Sequence, residues 1–334
     1  MKITYILDRP ELGGGVKVVF QHAQLLLSLG HHVTILGRGA KPGWANFQGS
    51  YCNYHRTTPQ LDAQDLVVAT YWTTIPIAET LNAGPIAHFC QGFEGDYPHL
   101  TSVRTEINAI YHRKLPTLVV APHLADLLRS RFDRKSYLVP PPLDAYFRPS
   151  FRLRPRKCPW IAIHGIFECD WKGVVTGLKA VRRLREMGLP CRLLRVGLLP
   201  LSPDEKNILP PDKYIHCVPP QHIAHEMRRC DLLLFPSLPT EGFGLPLLEA
   251  MVSKVPAVAS DIPSVRFMGQ QAVSYVPPHD VEAFAAAAEK LLQNPKAWRQ
   301  ARQQGYEAAQ RFRPEAVAQE LVAGMSWAIE KVGG

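Results

Sequence analysis

The chain has 334 residues, 46% of them hydrophobic and 20% charged, and a formal net charge of +9 at pH 7. That length gives a prior of roughly two domains with enough buried core to fold without staples. No run of about 18 apolar residues occurs, which excludes a spanning helix, and no helix-turn-helix, RNP or zinc-finger pattern appears, which places nucleic acid last among the partners that the positive charge could serve.

The first strand, KITYIL, begins with no basic and apolar leader before it, so the expected location is the cytoplasm. Short β-branched runs then alternate with longer amphipathic ones, the signature of an α/β fold with parallel sheets. The expected strands are Lys2 to Leu7, His32 to Leu36, Leu66 to Ala69, Ile86 to Phe89, Thr117 to Val120 and Tyr137 to Val139. Between the first two lies DRPELGGGVK, in which Gly13, Gly14 and Gly15 just precede a helix whose inner face is Val16, Val19, Phe20, Ala23 and Leu27. Three glycines at a helix start free backbone N–H groups to face a phosphate or sugar, although the same residues also make a plain flexible turn. A dinucleotide fingerprint fails here, because Val18 stands at the third glycine position and Gly37 and Arg38 replace the acid after the next strand. Farther on, PIAHFCQGFEGDYPHL sets polar residues directly behind a strand. Its Glu94 and Asp96 read equally well as acceptor-orienting carboxylates and as turn acids.

VPPPLDAYFRP (139 to 149) breaks the pattern, since three consecutive prolines fit neither a central strand nor a helix interior. It reads as a linker that divides residues 1–145 from 146–313. A second alternating series follows, with strands at Trp160 to Ile163, Arg192 to Val196, Tyr214 to Val218, Leu232 to Phe235, Ala257 to Ala259 and Ser274 to Val276. Helices at about 280–293, 296–312 and 314–331 close the chain. Basic residues gather at Arg148, Arg152, Arg154, Arg156 and Lys157, and again at Arg129, Arg131, Arg134 and Lys135. Most such runs are solvated surface, and a peripheral contact with an anionic membrane is the functional alternative. The seven cysteines are scattered without metal-type spacing and read as reduced, mostly core residues. No Asp-x-Asp occurs, so the expectation is a site without metal and without a cofactor.

The most informative stretch is DLLLFPSLPTEGFGLPLLEAM, a buried strand running through a turn into a helix, with Glu241 and Glu249 eight positions apart. A helix start offers unpaired N–H groups and partial positive charge, so Gly242, Phe243 and Gly244 can present donors to an anionic or hydroxyl-rich ligand. The carboxylate of Glu249 can accept two hydrogen bonds from adjacent hydroxyls of a ribose or hexose. Upstream, IAIHGIFECDWKG carries Lys172 and Gly173 at another helix start, where an ammonium group would balance a diphosphate.

Together these segments resemble the retaining GT-B glycosyltransferases of family 4. PS, EGFG, LP and LEAM follow in the order of the family's E-x7-E signature, and VPPPLDAYFRP is similar to its linker. HCVPPQHIAHEMRRCDLLLFPS, SDIPSVRFM and VPPHDVEAFAAAAEKLLQNP resemble the segments around that signature. The resemblance implies two Rossmann-like domains with parallel sheets facing across a cleft, and a final helix (about 314–334) that packs back on the first. It implies transfer of a hexose from a nucleoside-diphosphate sugar to a glycan or lipid-linked acceptor. In that scheme Glu249 holds the ribose, Glu241 the donor sugar, Lys172 and the Gly13 to Gly15 loop the diphosphate, and Val218 lies by the base. Gln91 takes the place where the family often has a histidine, with His88 as the alternative. One departure stands out: the family's Gly-Arg pair is Gly165 and Ile166 here. A sugar-nucleotide epimerase on the same fold and a non-catalytic sugar-binding protein are the rival readings.

Overall fold

A computed structural model describes residues 1–54 and 60–333. The chain forms two compact units, residues 1–142 with 312–333 and residues 143–311. The division between Pro142 and Leu143 falls inside the proline-rich segment.

In the first unit β1 (Lys2–Leu7), β2 (His32–Gly37), β3 (Ser50–Asn53), β4 (Leu66–Ala69), β5 (Ile86–Cys90), β6 (Thr117–Val119) and β7 (Ser136–Leu138) form one sheet in the order β3-β2-β1-β4-β5-β6-β7. Every pairing is parallel. Central strands of such a sheet are covered on both faces and read as unbroken apolar runs, and Leu66 to Ala69 are all fully buried. β3 was not expected. It is an edge strand whose SYCN carries no apolar run and leaves both ends exposed. The helix Gly14–Ser28 lies on this sheet, burying Val18, Val19, Phe20, Ala23 and Leu26.

The last helix, Pro314–Gly333, belongs to the first unit although it follows the second in sequence. Tyr137 donates to Glu320 (3.1 Å) and meets the ring of Trp327 at 5.8 Å. A Cβ at Gly324 would stand 2.7 Å from Val139, so glycine is what lets the helix approach β7 this closely.

In the second unit β8 (Trp160–His164), β9 (Arg192–Gly197), β10 (Lys213–His216), β11 (Leu232–Phe235), β12 (Ala257–Ser260) and β13 (Ser274–Val276) take the order β10-β9-β8-β11-β12-β13, again all parallel. The carboxylate of Asp231 anchors the segment that leads into this sheet. Fully buried, it accepts from Arg152, from Arg156 Nη1 (2.7 Å) and from the backbone N–H groups of Arg156 (3.2 Å) and Trp160 (2.9 Å). The buried indole of Trp298 donates to the Asp231 carbonyl (2.8 Å).

In each unit the first strand is flanked by the second on one side and the fourth on the other. Strand order reverses at that junction, and it is at the strand C-termini of such a junction that doubly wound sheets receive ligands. β1 and β4 form this switch point in the first unit, β8 and β11 in the second. Three of the seven cysteines, Cys90, Cys191 and Cys230, are buried, while Cys217 is exposed, so the expectation of a mostly core set is corrected. Among the described residues no helix is long and apolar enough to cross a membrane.

Candidate functional site

The β8–β11 switch point brings together residues that lie 69 positions apart in the chain. After β8 the backbone passes Gly165 and makes a 3-10 turn, Asp170–Lys172, before the helix Val174–Glu186 begins. The turn is closed by Gly173 in the left-handed region (φ +60°), where a Cβ would lie 1.9 Å from the carbonyl oxygen of Pro236. Only glycine satisfies both conditions. From the β11 side, Leu238 N–H donates to the Trp171 carbonyl (2.7 Å), which fastens the two strand ends to each other.

That fastening sets Lys172 against Glu241. The ammonium donates to Glu241 Oε2 at 2.8 Å and Oε1 at 3.1 Å, and Ser237 Oγ adds a third donor to Oε2 at 3.0 Å. The Lys172 side chain is 24% exposed and that of Glu241 8%. A charge pair this poorly hydrated is strongly felt by any ligand that enters, because screening by water is weak. Behind the turn, Arg195 on β9 is fully buried and satisfies the carbonyls that end β8: Ile163 at 2.9 Å and Gly165 at 3.1 Å. Its charge is balanced by buried Glu205, itself placed by the helix Pro203–Ile208 with its Ser202 cap. Arg195 is a support the sequence did not single out, though an arginine amid RLLRVG is an unusual strand residue that demands a buried partner.

The helix Leu245–Val252 carries Glu249, which is buried. Its cap Gly244 is left-handed (φ +96°), and a Cβ there would meet the Phe235 ring at 3.0 Å. Gly244 is therefore required by the turn and by packing against β11. Gly242 and Phe243 are also buried, with Phe243 edge-on to Phe267 at 6.5 Å between ring centres. Linker residues join the group. The Tyr146 hydroxyl has its pKa raised by burial first and then by the negative charges of Asp144 and Glu249. Val218 is half-buried in the turn after β10, at the sheet edge, where Cys217 has φ +46° and its N–H donates to Gly197 (3.1 Å).

In the first unit only Gly13 precedes the helix, with an extended backbone (φ −164°), while Gly14 and Gly15 are already its first two residues. The expected three-glycine loop is thus shorter than its sequence suggests, because helical geometry extends to the first residue whose carbonyl can accept, and Lys17 N–H donates to Gly13 (2.9 Å). Gln91, just beyond β5, donates from Nε2 to the Gly15 carbonyl at 3.0 Å. His88 is buried within β5, 3.1 Å from Arg134, and burial lowers its pKa well below the usual range.

Glu94 is buried, accepting from the Tyr111 hydroxyl, and burial pushes its carboxyl up to about 7. Asp96 pairs with Arg131 at 3.0 Å. Among the described residues no set of three His, Cys, Asp or Glu side chains converges as metal ligands.

Residues 158–294 match the family model described as "Glycosyl transferases group 1". Over 171 residues the chain is 33% identical to the MMP alpha-(1->4)-mannosyltransferase of Mycolicibacterium hassiacum, covering 48% of this chain and 41% of that protein. It is 34% identical over 105 residues to an exopolysaccharide phosphotransferase of Streptomyces coelicolor, covering 30% of this chain and 11% of that one. The chain thus spans less than half the length of these curated relatives. In three dimensions it is similar to Anabaena HepE in complex with UDP and glucose, with a TM-score of 0.81 at 14% identity over 98% of this chain and 99% of that one.

Proposed function

Because the chain has the GT-B fold and carries a Glycosyl transferases group 1 domain over residues 158–294, we infer that it is a glycosyltransferase, retaining in mechanism. It moves a hexose from a nucleoside-diphosphate sugar to a hydroxyl of a glycan or lipid-linked acceptor in polysaccharide or glycolipid synthesis. It works in the cytoplasm, at the inner face of the membrane, and needs neither cofactor nor metal.

The observation that carries this reading is the Lys172–Glu241 pair at the β8–β11 switch point. One group suits phosphate oxygens and the other suits sugar hydroxyls, and they stand side by side where a diphosphate-linked sugar presents both. On donor binding the ammonium turns from carboxylate to diphosphate. Glu241, still held by Ser237, is then free to accept from the sugar. Glu249 takes the ribose diol, and the Val218 turn borders the base. As the glycosidic bond breaks, negative charge grows on the departing phosphate, and Lys172 stabilises it more than it stabilises the bound donor. The acceptor hydroxyl attacks the same face that the phosphate leaves, and a phosphate oxygen takes its proton. Gln91 and the Gly13 to Gly15 segment lie on the acceptor-side unit, where Gln91 orients without taking up a proton. The mannosyltransferase among its relatives supports a hexose as the group transferred.

Calorimetric titration with UDP, GDP, ADP and dTDP tests the donor site. One of them should bind in the micromolar range without metal, and Glu249→Ala should weaken it by about 1 to 3 kcal/mol, the loss expected when hydrogen bonds to a charged group are removed. Absence of binding by all four would overturn the site. Turnover that requires an added acceptor separates transfer from epimerisation.

A further inference from the structure

We propose that the segment 148–157 is a membrane-docking surface, which lowers Phe151 and Leu153 into the headgroup layer of an anionic bilayer. These two side chains are 88% and 78% exposed, whereas no other large hydrophobic residue among those described exceeds 48%. Single exposed apolar side chains are ordinary on protein surfaces. Two of them two positions apart, both turned outward, are not explained by packing.

The backbone beneath them is fixed. Between the two, Arg152 turns inward to the buried Asp231. Arg302 donates to the Ser150 carbonyl (2.6 Å) and hydroxyl (2.9 Å), and Arg299 donates to the Leu153 carbonyl (3.0 Å). Phe151 and Leu153 are therefore held outward by bonds on both sides, so presenting them costs little further ordering.

Charge selects the partner. No Asp or Glu occurs between Asp144 and Glu168, while Arg148, Arg154 and Lys157 are exposed along the same stretch. Asp231, the carboxylate that does reach the segment, is fully buried and shared by two guanidinium groups. In the second basic cluster Arg129 pairs with Asp126, Arg131 pairs with Asp96 and Arg134 is buried, so that Lys135 is its remaining exposed cation. Exposed cations thus flank the two apolar side chains on both sides along the chain, with no acid among them. Neither signal anchors a protein alone, but a short apolar insertion plus several cations does. Two side chains are too small a core for a stable protein interface. A second copy docking through the same patch would set like charges face to face.

The test is flotation of the full chain with vesicles of phosphatidylglycerol and phosphatidylcholine mixed about one to three, at about 0.1 M salt. The wild type should float with these and not with pure phosphatidylcholine, and Phe151→Ser/Leu153→Ser should lower the bound fraction about tenfold or more. Both side chains are outside the core, so circular dichroism and melting of the double variant should match the wild type. Arg154→Glu/Lys157→Glu should weaken flotation as well. A wild type that stays unbound, equal binding to neutral vesicles, or a double variant that floats as well as the wild type each overturns the proposal. So does sedimentation showing a dimer that the double variant abolishes, which would make a second copy the occupant. Flotation is read without turnover, so its outcome is independent of the transfer reaction.

Discussion

Lys172 and Glu241 come from the ends of adjacent strands of the second sheet and hold each other at 2.8 Å, with Ser237 completing the carboxylate's donors. The pair is partly shielded, so breaking it from one side leaves a poorly hydrated charge behind. Lys172→Met should cost about 1 to 3 kcal/mol of stability, below the figure for a fully buried pair because Lys172 retains some solvent. Glu241→Gln should cost less, since the amide still accepts from Ser237. The double variant should recover part of the loss, with a coupling of about 1 to 2 kcal/mol. Urea denaturation of the four proteins closes the cycle; strictly additive effects would mean that the pair contributes nothing as a pair.

Gly173 and Gly13 separate structural glycines from those open to a ligand. At Gly173 an alanine meets both the left-handed backbone (φ +60°) and the Pro236 carbonyl. Gly173→Ala should lower stability by about 3 kcal/mol or more, since strain and a backbone clash add. At Gly13 the backbone is extended and a Cβ would meet nothing within 4 Å. Gly13→Ala should change stability by less than about 0.5 kcal/mol. If it nevertheless impairs turnover at intact stability, backbone approach of substrate to that residue is the cause; unchanged turnover would remove Gly13 from the site.

Asp231 is bound by two arginines and two backbone N–H groups while fully buried. Asp231→Ala leaves two cations and two donors without their acceptor, and should destabilise the second unit by about 3 to 5 kcal/mol. Arg154→Ala, an exposed neighbour, should stay within about 0.5 kcal/mol of wild type. Guanidinium denaturation followed by tryptophan fluorescence reads both, because Trp160 and Trp298 lie against Asp231. Comparable midpoints for the two variants would refute the anchoring role.

The alternation of strand and helix was legible because parallel strands buried on both faces are written as apolar runs, as in Leu232 to Phe235. Lys172, Glu241 and Glu249 were legible as candidates because a strand, a tight turn and a helix start are all local. What stayed hidden depends on distant residues. β3 has its edge geometry and no apolar signature. Arg152 and Arg156 read as surface charge until Asp231, more than 70 positions away, draws them in. Asp144 and Tyr146 read as linker, yet the Tyr146 hydroxyl bonds the Asp144 carboxylate and feels the negative charge of Glu249. Glu94 reads as a turn acid until Tyr111 covers it.

That burial of Glu94 makes stability depend on pH in a sense opposite to a salt-bridged carboxylate. Loss of hydration pushes its carboxyl from the ordinary 4.5 up to about 7, against smaller opposing contributions from Tyr111 and Arg134. Between those two values the folded chain keeps a proton that the unfolded chain has released. The unfolded state then binds fewer protons, so this group's contribution makes stability fall as pH rises from about 4.5 to about 7 and level off above. The full swing is at most about 3 to 4 kcal/mol, from roughly 1.4 kcal/mol per pKa unit. Glu94→Gln keeps an oxygen for the Tyr111 hydroxyl but carries no proton to lose, so its stability lacks this slope. Urea midpoints of wild type and variant, taken at intervals from about pH 5 to 8, should diverge steadily up to about pH 7 in favour of the glutamine and run parallel beyond it. Parallel curves throughout would mean that Glu94 is ionised in the folded protein and that Tyr111 and Arg134 outweigh its burial.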